Sequence, residues 1–508
     1  MTPEAPHYQK LAAHHRRLSH LGHVEAIVSW DEAAMMPEGG GPSRAEAVAT
    51  LRVLAHELAT DPSLGELLAR AEEEGERGAL GPWERANVRE SRRLWVRETC
   101  LPAALVEASS RAESRSEQAW RKLRGQNDWE SFRPLLAEVV DRKREVARCL
   151  AERLGLGPYD ALLDGYEPGA RARAIDSLFG DLRAYLPSVL PAILERQKSR
   201  APLEPEGPFP VAQQRALGLA VMAKVGFDFN HGRLDVSHHP FCGGVPRDVR
   251  ITTRYDEKDF VKAFMGVLHE TGHARYEQNL PGAWLDQPVG RARSMSVHES
   301  QSLLQEMQVS RSRDFMTFAA PLIAQAFPEA AARMPQAFTA ENLHRLYTRV
   351  RPGYIRVDAD EVTYPCHVIL RFEIEQALVE NKLQVRDIPE AWDAAMTALL
   401  GLRTEGNYTN GCMQDVHWPA GLIGYFPTYT LGALTAAQLF AAARRELSGL
   451  GGSIAGGDFE PLGQWLRDRV WSQGSQLSTD ELLVRATGRT LGTEDFKRHL
   501  ESRYLSEA

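Results

Sequence analysis

The chain has 508 residues, of which 43% are apolar and 25% are charged, and this balance is typical of a folded globular protein. The 68 Asp and Glu residues outnumber the 60 Lys and Arg residues, which gives a net charge of −8. A chain with this charge has no global attraction to nucleic acid or to an acidic membrane surface. The length allows three or four domains, or one large helical body.

Most of the chain is predicted to be helical, because long segments rich in Ala, Leu, Glu and Arg recur. Clear examples, in chain order, are residues 43–58, 83–97 and 133–154. The proline-rich residues 201–210 and the glycine-rich residues 449–457 are predicted to break helices. Between these breakers, residues 230–256 contain a β-branched run that predicts a small β element. We therefore predict one α-helical body with a small β element.

The cysteines and the apolar segments indicate a cytoplasmic protein. There are five cysteines at wide spacings without a CxxC pair, which argues against a disulfide framework or a thiolate zinc site. Residues 1–10 lack the apolar core of a signal peptide. The stretch Pro419–Ala443 has no charged residue and is long enough to span a bilayer, but it contains Pro427 and three glycines. We predict a buried loop that runs into a core helix there, and no membrane partner.

The segment Phe260–Gln278 is predicted to form a helix that carries the chemistry. Its His269 and His273 are four residues apart, so both imidazoles leave one helical face and can hold one Zn²⁺. Glu270 lies beside that face and can approach a bound water without binding the metal. This arrangement suits metal-assisted hydrolysis, in which a carboxylate takes the proton of the attacking water.

A catalytic zinc site needs a third protein ligand. Glu299 follows His273 by 26 residues and begins another helical run, so it can complete a set of two histidines and one glutamate. His298 is the alternative, although the set with a glutamate is the commoner one in peptidases. Glu277 and Glu306 are candidates to accept a hydrogen bond from a histidine ring and so to orient it. The more common alternative for such residues is a salt bridge on the surface.

Six motifs follow one another along the chain: HPF at 239–241, DxRxT at 248–252, HETGH at 269–273, HESQ at 298–301, IRxxAD at 355–360 and GxxQDxHW at 411–418. In these motifs and in their order the sequence resembles the M32 metallocarboxypeptidases. The resemblance extends over residues 30 to about 440, and no motif position departs from the pattern.

The resemblance implies a clam-like helical fold with a deep groove, shared with the neurolysin and angiotensin-converting-enzyme group of gluzincins. It implies one peptidase domain over residues 1–508, with the zinc-site core within 230–430. It further implies a homodimer that releases single C-terminal residues from peptides with broad specificity. One Zn²⁺ per chain is expected, and Co²⁺ or Mn²⁺ can use the same ligands.

The resemblance also implies roles for individual residues. The metal ligands are His269, His273 and Glu299, and Glu270 is the general base. Arg356 of the IRxxAD motif is expected to bind the substrate's terminal carboxylate, because a guanidinium can form paired charge-assisted hydrogen bonds with it. Arg250 of the DxRxT motif is a second candidate for this role, or a structural residue.

Three further residues are expected at the substrate. Tyr364 resembles the tyrosine that polarises the scissile carbonyl in related gluzincins, and its alternative is a tyrosine packed beside Pro365. Gln414 and His417 of the last motif are expected to line the groove, with a buried, hydrogen-bonded histidine as the alternative for His417. Two other functions stay open, namely an oligopeptidase with the same metal site and a helical scaffold with a vestigial HETGH.

Overall fold

The protein, described here by a computed structural model over residues 4–506, is mostly helical as predicted. Its first half consists of α1 (Pro6–Ala34), α2 (Gly41–Ala59), α3 (Ser63–Glu76), α4 (Pro82–Thr99), α5 (Ala103–Leu123), α6 (Trp129–Leu154), α7 (Pro158–Leu163), α8 (Ala172–Lys198) and α9 (Val211–Lys224). The three predicted helical segments correspond to α2, α4 and α6. Residues 201–210 form no regular element, as their prolines predict.

The second half contains the helices that surround the predicted site. They are α10 (Phe260–Gln278), α11 (Met295–Leu303), α12 (Arg313–Ala326), α13 (Pro328–Arg333), α14 (Ala340–Tyr347), α15 (Tyr364–Val379), α16 (Ile388–Leu400), α17 (Pro427–Glu446), α18 (Leu450–Ala455), α19 (Glu460–Arg469), α20 (Thr479–Thr487) and α21 (Glu494–Leu500). Two π-helical segments, Leu304–Ser310 and Glu501–Ser506, continue α11 and α21.

The predicted β element is a three-stranded sheet with the order β1-β3-β2. Its strands are β1 (Gly232–Val236), β2 (Phe241–Val245) and β3 (Asp248–Thr253). The central β3 pairs in parallel with β1, in the register Leu234 to Ile251, and antiparallel with β2, in the register Cys242 to Ile251. Apolar side chains of β1 and β3 pack on Val267 and Ala274 of α10, so the sheet supports the helix that carries HETGH.

Two glycines permit close approaches around α11. A Cβ at Gly272 of α10 would lie 2.4 Å from the carbonyl oxygen of Gln301 and 2.6 Å from Cα of Ser302. A Cβ at Gly432 of α17 would lie 2.8 Å from Cγ of Glu299. Because neither contact can accommodate a side chain, these glycines allow α10 and α17 to pack closely against the helix that carries Glu299.

The two segments with unusual composition differ in outcome. The uncharged stretch 419–443 is a loop followed by α17, whose side chains are mostly buried, as predicted. None of the helices within residues 4–506 has both the length and the apolar character needed to cross a membrane. The glycine-rich residues 449–457 separate α17 from α19, as predicted, but they are not wholly irregular, because the short α18 forms inside them with Leu450 and Ile454 buried.

Candidate metal centre and active site

His269, His273 and Glu299 meet where α10 packs against α11. One potential ligand atom from each residue lies within 4.8 Å of the other two, and Nε2 of His273 is 3.5 Å from Oε2 of Glu299. Ligands bound tetrahedrally at about 2.0–2.1 Å from a zinc ion are separated by about 3.4 Å. Two imidazoles and one carboxylate at this spacing fit a divalent metal ion and leave a fourth position for water or substrate.

Glu306 holds the first of these histidines. Its Oε2 is 2.8 Å from Nδ1 of His269, which leaves Nε2 of that ring available as a ligand. Burial opposes ionisation of Glu306, but the adjacent Arg311 and the bond to His269 outweigh it and lower the pKa to about 2. The expectation that Glu306 forms a surface salt bridge is therefore wrong, since this carboxylate is buried and orients a ring of the site.

His298 lies behind His273 and outside the group of three. The two Nδ1 atoms are 2.8 Å apart, and Nε2 of His298 is 2.8 Å from Oε1 of Glu277. If Nε2 of His273 binds a metal, its Nδ1–H can donate to His298, and the Nε2–H of His298 can donate to Glu277. His298 and Glu277 thus lie behind His273, whereas Glu299 belongs to the group of three potential ligands.

Glu270 lies between the two histidines in sequence and is 9% exposed. Burial raises the pKa of its carboxyl to about 7, and the nearby His269 opposes this shift. A carboxyl group with a pKa near neutrality can accept a proton and release it again at physiological pH. These are the properties that a general base needs.

Arg356 lies in a buried cluster with unequal charges. Its Nε is 3.0 Å from Oδ1 of Asp415, and its Nη1 donates to the hydroxyl oxygen of Tyr364 at 3.0 Å. The fully buried Arg371 donates to Oδ2 of Asp415, at 2.8 Å from its Nε. Two guanidinium groups therefore share one carboxylate, so the cluster has an excess positive charge that a substrate carboxylate can balance.

Two tyrosines of α17 and the preceding loop, Tyr425 and Tyr429, join this cluster. The guanidinium of Arg356 is 4.8 Å from the ring centroid of Tyr429, whose hydroxyl is 3.0 Å from Nε2 of His417. Nδ1 of His417 is buried and without a partner in the described part of the chain. Sequence reasoning gave Tyr425 and Tyr429 no role, and it missed Arg371, which belongs to none of the six motifs.

Gln414 and Arg250 make contacts within the protein rather than lining an open substrate groove. The side-chain oxygen of Gln414 accepts from the backbone N–H of Arg356 at 2.8 Å, and its amide donates to backbone carbonyls, including that of Tyr354. Gln414 thereby fixes the backbone that carries Arg356.

The guanidinium of Arg250 donates to both oxygens of Asp248 and lies 4.2 Å from the ring centroid of Trp30. These contacts favour a structural place for Arg250 in the sheet.

The helical fold and the pairing of an HExxH helix with a glutamate from the next helix define a class of metallopeptidase. The model of the family described as Carboxypeptidase Taq (M32) metallopeptidase matches residues 10–504, so the chain belongs to the M32 family of metallocarboxypeptidases. The functional-class prediction is therefore confirmed, and the scaffold alternative is excluded.

Sequence relatives and solved structures agree with this assignment. Thermostable carboxypeptidase 1 of Thermus thermophilus is 40% identical over 100% of this chain and 99% of its own length. Carboxypeptidase 1 of Bacillus subtilis is 33% identical over 96% of each chain. The structure of Trypanosoma cruzi metallocarboxypeptidase 1 has a TM-score of 0.96 at 44% identity and covers 99% of this chain and 100% of that chain. The structure of the M32 carboxypeptidase of Deinococcus radiodurans has a TM-score of 0.92 at 36% identity, and it covers 98% of this chain and 99% of that chain.

Proposed function

We propose that this metallocarboxypeptidase is zinc-dependent and releases single C-terminal residues from peptides with broad specificity. His269, His273 and Glu299 would hold the ion. When bound there, Zn²⁺ lowers the pKa of water and polarises a carbonyl group, and Co²⁺ or Mn²⁺ can use the same ligands. Glu306 and His298 keep the two imidazoles oriented for this purpose.

Glu270 is the general base in this proposal. Its carboxylate takes a proton from the attacking water and passes it to the leaving amine, so the residue returns to its starting state. Its burial supports the role, because a raised pKa makes the carboxylate a stronger base than an exposed glutamate.

Arg356 binds the substrate's terminal carboxylate, and the excess positive charge of the Arg356–Asp415–Arg371 cluster is the observation that carries the proposal. Asp415 engages Nε and Nη2 of Arg356, and Nη1 donates to Tyr364, so one N–H group on each of Nη1 and Nη2 is left for a second carboxylate. A free C-terminus supplies that carboxylate, whereas an internal peptide segment does not. This difference favours an exopeptidase over an oligopeptidase with the same metal site.

Tyr364 polarises the scissile carbonyl. Its hydroxyl oxygen accepts from Arg356, so its own proton stays available to donate to the developing oxyanion. Tyr429 is close to the same guanidinium and, with His417, forms the adjacent wall of the substrate site. Gln414 contributes by positioning Arg356. Arg250 remains the second candidate for the substrate carboxylate.

The single peptidase domain, the homodimer and the action on peptides with a free C-terminus rest on the family resemblance. Action in the cytoplasm rests on the cysteine pattern of the chain. The proposed activity is tested by digesting a mixed peptide pool and measuring the products by mass spectrometry, with and without a chelator. Stepwise loss of single C-terminal residues that the chelator abolishes is the expected result, and internal fragments would contradict it.

A further inference from the structure

Glu375 is a fully buried residue of α15 that belongs to none of the six sequence motifs. It lies one helical turn after Arg371, so the two side chains leave the same face of the helix. Arg371 donates to Asp415, which lies in the segment of residues 411–426 that precedes α17. Glu375 contacts the same segment further along, so one face of α15 holds it with two side chains.

The carboxyl group of Glu375 contacts segment 411–426 at two points. Its Oε1 accepts from Nε1 of Trp418 at 2.9 Å, and its Oε2 accepts from the backbone N–H of Gly424 at 3.0 Å. The third partner is the hydroxyl of Tyr159 in α7, which is 3.0 Å from Oε2 and lies outside this segment. Because Trp418 and Gly424 are buried, either N–H group would be left unpaired without an acceptor here.

The two points of contact are next in sequence to residues of the proposed substrate site. His417 directly precedes Trp418, and its Nε2 is 3.0 Å from the hydroxyl oxygen of Tyr429. Tyr425 directly follows Gly424, and its ring centroid is 5.4 Å from that of Tyr429. The positions of His417 and Tyr425 therefore depend on how segment 411–426 is held against α15.

We propose that Glu375 is a positioning residue for recognition of the substrate's terminal carboxylate. It fixes segment 411–426, and Asp415 of this segment in turn holds the guanidinium of Arg356. The inference rests on the proposed function, because it takes Arg356 as the residue that binds the free C-terminus. Glu375 acts on the substrate through the segment, and its loss should weaken substrate binding more than it slows the hydrolytic step.

A carboxyl group suits this position better than an amide. Burial raises the pKa of the Glu375 carboxyl to about 8, and the hydrogen bonds from Trp418 and Gly424 oppose this shift. Both carboxyl oxygens can accept an N–H in either protonation state, since the hydroxyl of Tyr159 can donate to the carboxylate or accept from the acid. The amide of a glutamine has one oxygen, so its NH₂ group would face one of the two N–H donors.

The test compares Glu375→Gln with Tyr159→Phe. Both variants lose a buried hydrogen bond at the same place, but only Glu375→Gln disturbs the contact with segment 411–426. In Glu375→Gln, kcat/KM for a peptide with a free C-terminus should fall about tenfold, mainly through KM. The slow cleavage of the matched amidated peptide and the metal affinity should change little. Tyr159→Phe should also lower the Tm but keep the acid-to-amide ratio of the wild type.

The acid-to-amide ratio of kcat/KM separates positioning from a general loss of stability, which would not change it. If Glu375→Gln does not fold, Trp418→Phe serves, because it removes the Nε1–H and keeps an aromatic ring, and it should lower the ratio by a few-fold. A wild-type enzyme without preference for the free C-terminus would contradict the proposed function and, with it, this inference. A wild-type preference that Glu375→Gln or Trp418→Phe leaves intact, or that Tyr159→Phe reduces equally, would overturn the inference alone.

Discussion

The guanidinium of Arg356 lies against one carboxylate oxygen of Asp415, with Nε at 3.0 Å and Nη2 at 2.9 Å. Arg371 uses the other oxygen, and these two arginines hold the pKa of the Asp415 carboxyl well below its usual range despite burial. The carboxylate therefore stays charged and fixes Arg356. Because one anion is shared by two cations, the cluster remains positive where the terminal carboxylate of a peptide is proposed to bind.

Glu270→Gln should retain the metal and lose nearly all turnover. Glutamine preserves the shape of the side chain but cannot accept the proton of water, and loss of a general base costs about 10²–10⁴-fold in rate. The measurements are kcat on a short peptide and metal content by atomic emission. Activity near that of the wild type in a metal-loaded variant would remove Glu270 from the proposed mechanism.

Glu299→Ala should empty the metal site, whereas His298→Ala should keep most of the metal. Glu299 belongs to the group of three potential ligands, while His298 contacts His273 only through its Nδ1 side. Loss of a supporting partner typically weakens metal affinity by about 10–100-fold, less than loss of a ligand. Competition with a chromogenic chelator measures both affinities. The reverse order would point to three histidine ligands.

Gly272→Ala should destabilise the protein and weaken metal binding. The new methyl group would lie 2.4 Å from the carbonyl oxygen of Gln301, so α10 and α11 must separate and move His273 away from Glu299. Overpacking of this kind costs about 1–3 kcal/mol.

Gly266→Ala on the same helix is the matched control. Nothing lies within 4 Å of its added Cβ, so this variant should be as stable as the wild type or up to about 1 kcal/mol more stable. Thermal unfolding and metal affinity are measured for both variants. Similar effects of the two substitutions would show that the close contact of α10 with α11 at Gly272 does not determine the positions of His273 and Glu299.

Glu361→Gln should lower the stability of the folded protein at neutral pH and reduce the loss of stability on acidification. Glu361 is buried and accepts from Arg503 at 2.7 Å and from Tyr504 at 2.6 Å. Burial opposes its charge, but Arg503 and His499 outweigh burial and hold the pKa of this carboxyl well below its usual range. Breaking such a buried pair costs about 3–5 kcal/mol.

The sign of the pH effect follows from the direction of that shift. A carboxyl with a lowered pKa in the folded state contributes its full stability above the ordinary value of about 4.3 and loses it as the pH falls further. The Tm difference between wild type and Glu361→Gln should therefore be largest at pH 7 and shrink below about pH 4. Glu72→Gln, at a carboxylate that is 41% exposed, is the control and should change little. A constant difference from pH 7 to pH 3 would contradict the account.

The sequence was sufficient to predict what depends on short spacing. His269, Glu270 and His273 lie within five residues on one helix, so helical geometry alone places them together. The β-branched run likewise predicted the small sheet. Glu299 required the common ligand set of peptidases as well, because spacing alone left His298 open.

The parts of the site that depend on contacts between residues far apart in the sequence could not be predicted. Asp415 and Arg356 are 59 positions apart, and Arg371 meets Asp415 across 44 positions, so no local pattern joins them. A charged residue such as Arg371 has no periodic signal that distinguishes a buried partner from a solvated one. The roles of Gln414 and Glu306 depend on which backbone or ring lies opposite, and packing alone decides that.

The central claim is that Arg356 recognises the free C-terminus, and matched acid and amide peptides test it most directly. In Arg356→Ala, kcat/KM for the acid peptide should fall by about 10²–10³-fold, because a buried carboxylate loses a charge-assisted pair. The slow cleavage of the amide should change little, and Arg356→Lys should recover only part of the loss, since a point charge cannot form the paired contact. Equal losses on the acid and the amide would contradict the account and make Arg250 the residue to test.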